Sequence, residues 1–444
     1  MFLECIRIAN FKSLKDIEVR PSGLTALVGP NNAGKTNFAL AMKFLSEVHQ
    51  YGLEKAVVRA GGIENIAFRR VRRSRSPIAF DVQACWSSPS VGSRVSESLE
   101  VLGPLAQAVA RLGFRHRFAC EARGGAGLPA GFQVPQETFE VDVAFRQDRT
   151  IKGLPDRLAY VVRRDSDGRT TASINGGRSG RPKLPMGLAL RLAPTRASLG
   201  AKAPDIEKER LFLSHPLVQD AFMRVLVDLL AGIRVFRFSS GSARRPGAPT
   251  PNPVLGEESN SLPSVIDWLR RKDRKQWQKV LNAMRDIVPG LEDIIIEVLP
   301  SKTLGLFFAE KGFGRPWRAD EVSDGTMHAL SILVAAADPR VSALLIEEPE
   351  NSLHPWILEQ LIKTLRQLAE KKTVILTTQS PVVVDLLHPS ETWIVSRRKG
   401  ATRIRQLTRI DPRIEGEWRE GVATLSEYLG SGLIPDAVPG TGQQ

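Results

Sequence analysis

One glycine-rich segment and one acidic segment carry the residue types that handle phosphate and metal. The glycine-rich segment fits G-x-x-x-x-G-K-[ST] at every fixed position, between an apolar run, Leu24–Val28, and a helical pattern, Asn37–Val48. Glycines let successive backbone N–H groups point at phosphate oxygens, and the N-terminus of the following helix adds partial positive charge. The residues are Gly29, Pro30, Asn31, Asn32, Ala33, Gly34, Lys35 and Thr36, followed by Asn37.

This phosphate loop predicts the binding of a nucleoside triphosphate, and we expect ATP with Mg²⁺. Lys35 is expected to reach the β- and γ-phosphates, and the Thr36 hydroxyl is expected to ligate the metal. The alternative is a chance Gly-Lys-Thr turn at the start of a helix. The strand pattern before the loop and the helix pattern after it disfavour that alternative, because the motif needs both.

The acidic segment follows four apolar residues, Ala343–Ile346, which are typical of a strand buried on both faces. Adjacent side chains of a strand point to opposite sides, so one acid can face a metal while the other faces an attacking water. We assign Glu347 to the Mg²⁺ side and Glu348 to the general base. The alternative is a solvated acidic strand end before a proline turn. The presence of a phosphate loop in the same chain disfavours that alternative.

The elements around these segments predict a mixed α/β chain. The C-terminal part alternates helix and strand, which is typical of a parallel sheet covered by helices. The patterns are a helix at Met327–Ala337, a strand at Ala343–Ile346, a helix at Trp356–Glu370 and a strand at Val374–Thr378. Nearer the N-terminus, short strand patterns dominate, with a hairpin turn expected at Asp165–Gly168.

The predicted organisation has two ATPase lobes, an antiparallel β lobe and a helical insertion. The N-terminal lobe spans residues 1–205 and contains an insertion of mixed helix and Gly-rich loop at 87–131. A helical subdomain follows at 206–290, with one long helix expected at Ser264–Ile287. The C-terminal lobe spans 291–432, and a disordered tail is expected at 433–444.

The net charge of +14 and the isoelectric point of about 10.0 favour polyanionic partners. The densest basic run predicts a track for a nucleic-acid backbone, although a solvated basic face is the alternative. Its arginines are Arg69, Arg70, Arg72, Arg73 and Arg75, and a second run lies at 270–275. The chain shows no secretory signal, no membrane-spanning apolar stretch and three widely spaced cysteines, so we expect a cytoplasmic protein.

Four segments together resemble one family. Ile6–Leu14 followed by the phosphate loop resembles the N-terminal signature of the SMC-like and RecF-like ABC-type ATPase heads. Glu347–Pro355 resembles the Walker B segment and D-loop of that group, which includes the OLD-family ATPases. Ser323–Thr326 resembles its shortened ABC signature, and Thr377–Pro381 lies where the group has its switch histidine. The resemblance implies an ABC-type P-loop NTPase head with a mixed sheet.

The resemblance also implies a mechanism in which two heads bind ATP face to face. Ser323 and Gly325 of one chain, with Asp324 between them, would close on the phosphates held by the partner's phosphate loop. The switch position holds Gln379, whose amide can hydrogen-bond the γ-phosphate and orient water but cannot carry a proton or a positive charge. We therefore expect Glu348 and Gln379 to form the catalytic pair of a slow ATPase.

Several functions are compatible with these features. The first is an ATP-gated dimeric ATPase that acts on DNA in repair or anti-phage defence and controls an effector protein, such as a nuclease. The second is a non-catalytic scaffold that senses ATP, which Gln379 would permit. The third is the nucleotide-binding subunit of a transport machine, which would need a hydrophobic docking surface.

Overall fold

The computed structural model describes residues 2–68, 76–87, 105–123, 131–146, 156–176, 207–214, 221–432 and 434. The arginine run at 69–75 lies outside these residues, as do 433 and 435–444 of the expected tail. No helix in the described part of the chain combines the length and the apolar character that crossing a membrane requires.

The strands belong to three sheets. In chain order they are β1 (Phe2–Phe11), β2 (Leu14–Val19), β3 (Leu24–Val28), β4 (Ile78–Ser87), β5 (Val109–Ala122), β6 (Phe132–Phe145), β7 (Arg157–Arg164), β8 (Thr170–Gly176), β9 (Ile233–Phe236), β10 (Leu291–Val298), β11 (Leu304–Glu310), β12 (Trp317–Arg318), β13 (Ala343–Glu347), β14 (Thr373–Thr378), β15 (Thr392–Arg398) and β16 (Ala401–Gln406).

The described helices are α1 (Lys35–Tyr51), α2 (Leu53–Arg59), α3 (Ile63–Ile66), α4 (Leu105–Ala108), α5 (Ala221–Ala231), α6 (Ser240–Ala243), α7 (Leu262–Lys272), α8 (Arg274–Ile287), α9 (Asp324–Ala337), α10 (Pro355–Ala369), α11 (Pro381–Asp385), α12 (Leu407–Ile410), α13 (Ile414–Arg419) and α14 (Leu425–Gly430). Short 3₁₀ turns occur at Phe212–Ser214 and Pro389–Glu391.

The sheet that positions the site has the order β16-β15-β3-β14-β13-β9. Every neighbouring pair in it is parallel except β15 with β16. Strands β3 and β14 are buried along their whole length, as expected of parallel strands that are covered on both faces. On β13, Leu345 faces one hydrophobic core, while Leu344 and Ile346 face the other. The mixed α/β fold predicted from the sequence is therefore confirmed.

The seven described strands of the antiparallel lobe have the order β2-β1-β4-β5-β6-β7-β8. Helix α1 joins this lobe to the parallel sheet, because its apolar residues share one core with both. Phe44 of α1 lies 5.7 Å from the ring of Phe11 on β1 and 5.8 Å from that of Phe80 on β4. The position of the phosphate-loop helix is thus fixed by aromatic packing against the antiparallel strands.

The hairpin expected at Asp165–Gly168 is confirmed, since β7 and β8 pair across it. Strand β5 was not predicted; it lies inside the segment 87–131 and in the middle of the antiparallel sheet. Its alternation of buried and partly exposed residues from Leu112 to Phe118 was a usable signal. The buried polar side chain of His116 interrupts the apolar half of that pattern.

Two other expectations for the helical region need correction. The segment 206–290 also supplies β9, an edge strand of the parallel sheet. The single helix expected at Ser264–Ile287 is two helices, because Asp273 ends α7 and caps α8 by accepting the backbone N–H of Gln276 at 3.1 Å. The division into lobes and subdomain remains a prediction.

Candidate nucleotide site

The phosphate loop, the switch segment and the acidic segment follow three adjacent parallel strands. Val28 at the end of β3 pairs with Thr378 at the end of β14, and Thr377 pairs with Glu347 at the end of β13. Because the carboxyl ends of parallel strands lie at one edge of a sheet, the segments that follow them are neighbours. Ligands of open α/β sheets bind outside this edge.

The two fixed glycines of the loop are required by close packing. A Cβ atom at Gly29 would lie 2.1 Å from the carbonyl oxygen of Val395 on β15. At Gly34 it would lie 2.0 Å from the hydroxyl oxygen of Thr402 on β16, and the backbone there has φ of 114°. Glycine is the residue that tolerates such a conformation without strain. The sequence motif names both positions, but only the structure names what they pack against.

A hydrogen-bonded chain supports the loop from behind. Asn37 Nδ2 donates to the Ser13 hydroxyl at 2.7 Å, and that hydroxyl lies 2.7 Å from the Thr402 hydroxyl. Thr402 in turn donates to the carbonyl of Ala33 at 2.8 Å. At the exposed side of the loop, Arg397 donates to Asn32 Oδ1 at 2.8 Å. Thr402 and Arg397 were not predicted as site residues, because nothing in the local sequence links them to the loop.

The ammonium group of Lys35 is folded back onto the loop. It donates to the carbonyl oxygens of Gly29 and Pro30 at 2.6 and 3.0 Å, and the residue is buried. Burial lowers the pKa of Lys35, while the charges of Glu348, Glu350 and Glu347 oppose that change. The ammonium group therefore lies within electrostatic range of all three carboxylates.

Glu347 lies beside the phosphate loop, close enough for the Thr36 side chain to stabilise its charged form. Burial raises the pKa of Glu347, and the Thr36 side chain and the charge of Arg237 act against that rise. The two residues that were assigned to the metal by sequence are thus neighbours. Both offer the hard oxygen atoms that Mg²⁺ prefers.

The strand alternation from which opposite directions were predicted for Glu347 and Glu348 does not extend to Glu348. Strand β13 ends at Glu347, and Glu348 adopts a left-handed backbone with φ of 49°. Its backbone N–H donates to the carbonyl of Thr377 at 2.9 Å, and Asn351 Nδ2 donates to its carboxylate at 3.3 Å. A left-handed conformation costs a residue other than glycine about 1–2 kcal/mol. The direction of Glu348 is therefore set by these tertiary contacts.

A third acid, Glu350, was missed as a site residue and links the acidic segment to the switch segment. Thr378 donates its hydroxyl proton to Glu350 Oε1 at 2.6 Å, and the same hydroxyl accepts the backbone N–H of Ser380 at 2.9 Å. The second carboxylate oxygen of Glu350 is buried and has no hydrogen-bond partner among the described residues. These bonds hold the turn that contains Gln379, whose side chain is exposed next to the loop.

The signature segment lies against the D-loop of its own chain. Ser323 caps α9 by accepting the backbone N–H of Thr326 at 3.2 Å. A Cβ atom at Gly325 would lie 2.8 Å from the carbonyl oxygen of Ser352. Asp324 accepts a hydrogen bond from Arg244 at 2.5 Å. Within the described residues, no hydrogen bond or ion pair joins this segment to the phosphate loop of the same chain.

The basic arginines proposed as nucleic-acid contacts, Arg69, Arg70, Arg72, Arg73 and Arg75, lie outside the described residues. The second basic run is at the junction of α7 and α8, where Lys272, Arg274 and Lys275 are exposed. In the described part of the chain, no cluster of three or more His, Cys, Asp or Glu side chains is arranged to hold a metal by itself.

Comparisons with known proteins agree with these motifs. Residues 1–85 match a family model described as "AAA ATPase domain". Residues 174–385 match a model described as "AAA domain, putative AbiEii toxin, Type IV TA system". A search of curated proteins gave no match.

Among solved structures, the chain is similar to SMC heads at low identity. The SMC head bound to the C-terminal winged-helix domain of ScpA aligns with 15% identity and a TM-score of 0.44, covering 91% of this chain and 97% of that chain. The SMC head domain from Thermotoga maritima aligns with 13% identity and a TM-score of 0.37, covering 91% and 99%. The Smc head from Pyrococcus furiosus, with an extended coiled coil and bound to the C-terminal domain of ScpA, gives 14% and 0.40, covering 94% and 99%.

The family matches cover both segments that build the site, the phosphate loop in the first and the acidic and signature segments in the second. Two stretches of the chain, residues 1–85 and 174–385, are therefore similar to AAA-type ATPase domains.

Proposed function

We propose that this chain binds Mg·ATP at the carboxyl edge of the parallel sheet and hydrolyses it. The observation that supports this most directly is the convergence of the phosphate loop and the acidic strand end. Thr36 lies close enough to Glu347 to lower the pKa of its carboxyl group, and the charge of the Lys35 ammonium interacts with Glu347 and Glu348. Two segments about 300 residues apart in sequence thus form one pocket.

The loop fits a triphosphate tail. The backbone N–H groups of the first turn of α1 have no partners inside the helix and favour an anion at this end. Lys35 already spans the loop from inside and needs only to exchange the carbonyls of Gly29 and Pro30 for phosphate oxygens. A charge-assisted hydrogen bond to phosphate is stronger than one to a neutral carbonyl, so ATP would displace these contacts.

Thr36 and Glu347 would hold Mg²⁺, with Glu347 bound directly or through water. When bound, the metal neutralises charge on the β- and γ-phosphate oxygens. The two side chains are already neighbours, since Thr36 stabilises the charged form of Glu347. Their pairing with a hard cation is chemically consistent, because a threonine hydroxyl and a carboxylate both supply oxygen ligands.

Glu348 acts as the general base and Gln379 orients the water. The base accepts a proton from water as its oxygen attacks the γ-phosphorus, the bond from that phosphorus to the bridging oxygen breaks, and ADP and inorganic phosphate result. Glu348 is held by Asn351 and Thr377 on one side of the pocket, and Gln379 is exposed at the neighbouring strand end. Since a glutamine amide takes no proton, Glu348 would be the residue that accepts the proton.

We infer that ATP also joins two copies of the chain. Ser323 and Asp324 are exposed, and Trp356 beside the D-loop is 44% exposed. In its own chain this surface contacts the D-loop through Gly325 and Arg244 through Asp324, and not the phosphate loop of the described residues. A second chain's phosphates would provide the anion that the N-terminus of α9 favours.

The decisive test uses Lys35→Ala and Glu348→Gln. Lys35→Ala should lose ATP binding in a direct titration, because it removes the cation that grips the phosphates. Glu348→Gln should retain ATP binding and lose phosphate release, and it should favour the ATP-bound dimer in light scattering. Normal ATP binding by Lys35→Ala would overturn the proposal.

We propose further that the ATP-bound dimer acts on DNA in repair or anti-phage defence, together with an effector protein. The positive net charge, the exposed basic residues at the α7–α8 junction and the match to an AbiEii-type toxin model support this. Duplex DNA binding should strengthen with ATP and weaken steeply with salt. DNA binding that is indifferent to ATP would contradict this role.

The alternative is an ATP-sensing scaffold that hydrolyses negligibly, and it is favoured by the neutral Gln379 at the switch. Phosphate release separates the two functions. If the wild type releases phosphate no faster than Glu348→Gln, the scaffold is the better description. A measurable difference between them supports the enzyme.

A further inference from the structure

A fourth strand end lies at the same edge of the sheet and has no role in the motifs. Strand β9 pairs in parallel with β13, and Phe236 is in register with Ile346. The residues that follow this pair on the two strands are Arg237 and Glu347. Neighbouring strands lie about 4.8 Å apart, so Arg237 emerges directly beside the acid assigned to the metal.

The backbone of Arg237 is fixed, while its guanidinium remains available. Its N–H donates to the carbonyl of Glu257 at 3.0 Å. Its side chain is exposed and takes part in no hydrogen bond or ion pair with the residues that the structure describes. Its charge nevertheless acts on Glu347. The guanidinium is therefore a cation near Glu347 that is not engaged in a hydrogen bond or ion pair with the described residues.

Other cations near this edge are already engaged. Lys43 of α1 pairs with Glu257 at 2.5 Å. Arg244 donates to Asp324 at 2.5 Å and to the carbonyl of Val322 at 2.7 Å, so it serves the signature segment. Lys35 occupies the loop side of the pocket. Arg237 follows β9, which lies on the side of β13 opposite to β14.

The nucleotide site carries an excess of negative charge that a cation at position 237 could offset. Glu347, Glu348 and Glu350 bring three carboxylates next to a tail that is itself anionic. The switch residue Gln379 is neutral and cannot offset charge that spreads over the γ-phosphate oxygens. An arginine can offset this charge, because its guanidinium binds phosphate through two N–H groups and stays charged. It cannot ligate a metal, because it has no acceptor atom.

We propose that Arg237 binds the γ-phosphate of ATP from within the same chain and supplies the positive charge that Gln379 lacks. The inference rests on the proposed ATP site. It makes Arg237 a residue that distinguishes ATP from ADP, since ADP has no γ-phosphate to contact. It also explains how an ATPase with a neutral switch residue can stabilise its transition state.

The test compares Arg237→Gln with the wild-type chain and with Arg224→Gln. Arg224 is an exposed arginine on α5, so its replacement removes the same charge elsewhere. Arg237→Gln should lose about 10²–10³-fold in single-turnover phosphate release, the loss typical of removing one donor from a developing oxyanion. Its affinity for ADP should stay unchanged, while its preference for ATP over ADP disappears. Arg237→Lys should recover part of that preference.

The outcomes separate the inference from the site on which it rests. Equal losses of ATP and ADP affinity in Arg237→Gln would show a structural role and overturn the inference. Unchanged phosphate release and unchanged ATP preference in Arg237→Gln would also overturn it. If Lys35→Ala still loses ATP binding in that case, the proposed ATP site itself stands. Normal ATP binding in Lys35→Ala would instead sink the proposed function. If the wild type hydrolyses no ATP, the preference for ATP over ADP still decides the role of Arg237.

Discussion

Gly34 of the phosphate loop packs so closely against Thr402 of β16 that an added Cβ atom would lie 2.0 Å from the threonine hydroxyl oxygen. The two residues are 368 positions apart in sequence. Thr402 also donates to the carbonyl of Ala33 and lies beside Ser13. The conformation of the loop is thus held by a strand at the far end of the chain.

Thr402→Val should weaken ATP binding although Thr402 is far from the motif in sequence. The valine keeps the shape of the side chain and removes the hydroxyl, which leaves the buried carbonyl of Ala33 without its donor. Such a loss costs about 1–3 kcal/mol. We expect a lower melting temperature and a higher dissociation constant for ATP. Thr303→Val removes an exposed hydroxyl on the β10–β11 turn and is the matched control, which should change neither quantity.

Thr378 and Glu350 should behave as a coupled pair. Thr378→Val removes the only donor that Glu350 has among the described residues, so both carboxylate oxygens become unsatisfied. A double-mutant cycle with Glu350→Gln, followed by denaturant unfolding, should give a coupling of about 0.5–3 kcal/mol. Phosphate release should fall in Thr378→Val, because the turn bearing Gln379 loses its anchor. Strict additivity of the two substitutions would contradict the link.

Arg244→Ala should uncouple ATP binding from dimerisation. Arg244 donates to the carbonyls of Ala319 and Val322 and to Asp324, so it holds the entry to α9. Without it the signature segment loses its fixed position, whereas the phosphate loop keeps its own support. We expect ATP to bind with normal affinity and to produce less dimer in light scattering. Arg245→Ala, at the exposed neighbouring position, should dimerise like the wild type.

The buried chain of His49, His116 and Glu137 should make stability depend on pH in two windows. His116 lies 3.0 Å from Glu137 Oε1 and 3.4 Å from His49, and Glu137 accepts the backbone N–H of Phe212 at 2.6 Å. Burial raises the pKa of Glu137 to about 8 and lowers the pKa of both histidines to about 3. The folded protein therefore favours the neutral form of all three groups.

The signs follow from proton linkage. Between the ordinary pKa of Glu137, 4.5, and its folded value of about 8, the folded state binds more protons, so its contribution is lost as pH rises. Below 6.5 the unfolded histidines bind more protons, so stability falls with acid down to about pH 3. Glu137→Gln should remove the alkaline decline in melting temperature and keep the acid one. A parallel decline in both proteins between pH 5 and 8 would show that Glu137 is ionised when folded.

What the sequence determined by itself was local. A phosphate loop needs a strand, a glycine-rich turn and a helix in succession, so it can be predicted from one continuous stretch of sequence. The acidic segment follows one buried strand, and the alternation of helix and strand around it predicted the parallel sheet. These features depend on residue spacing within a few turns, which periodicity records directly.

The tertiary structure decided the rest, because it depends on which distant strands become neighbours. Only the register of β9 with β13 brings Arg237 beside Glu347. Only the packing of β16 explains Gly34, and only the contacts of Glu348 with Thr377 and Asn351 set its left-handed backbone. Residue spacing along the chain does not predict these contacts, because they arise from hydrogen bonds and packing between segments that are far apart in sequence.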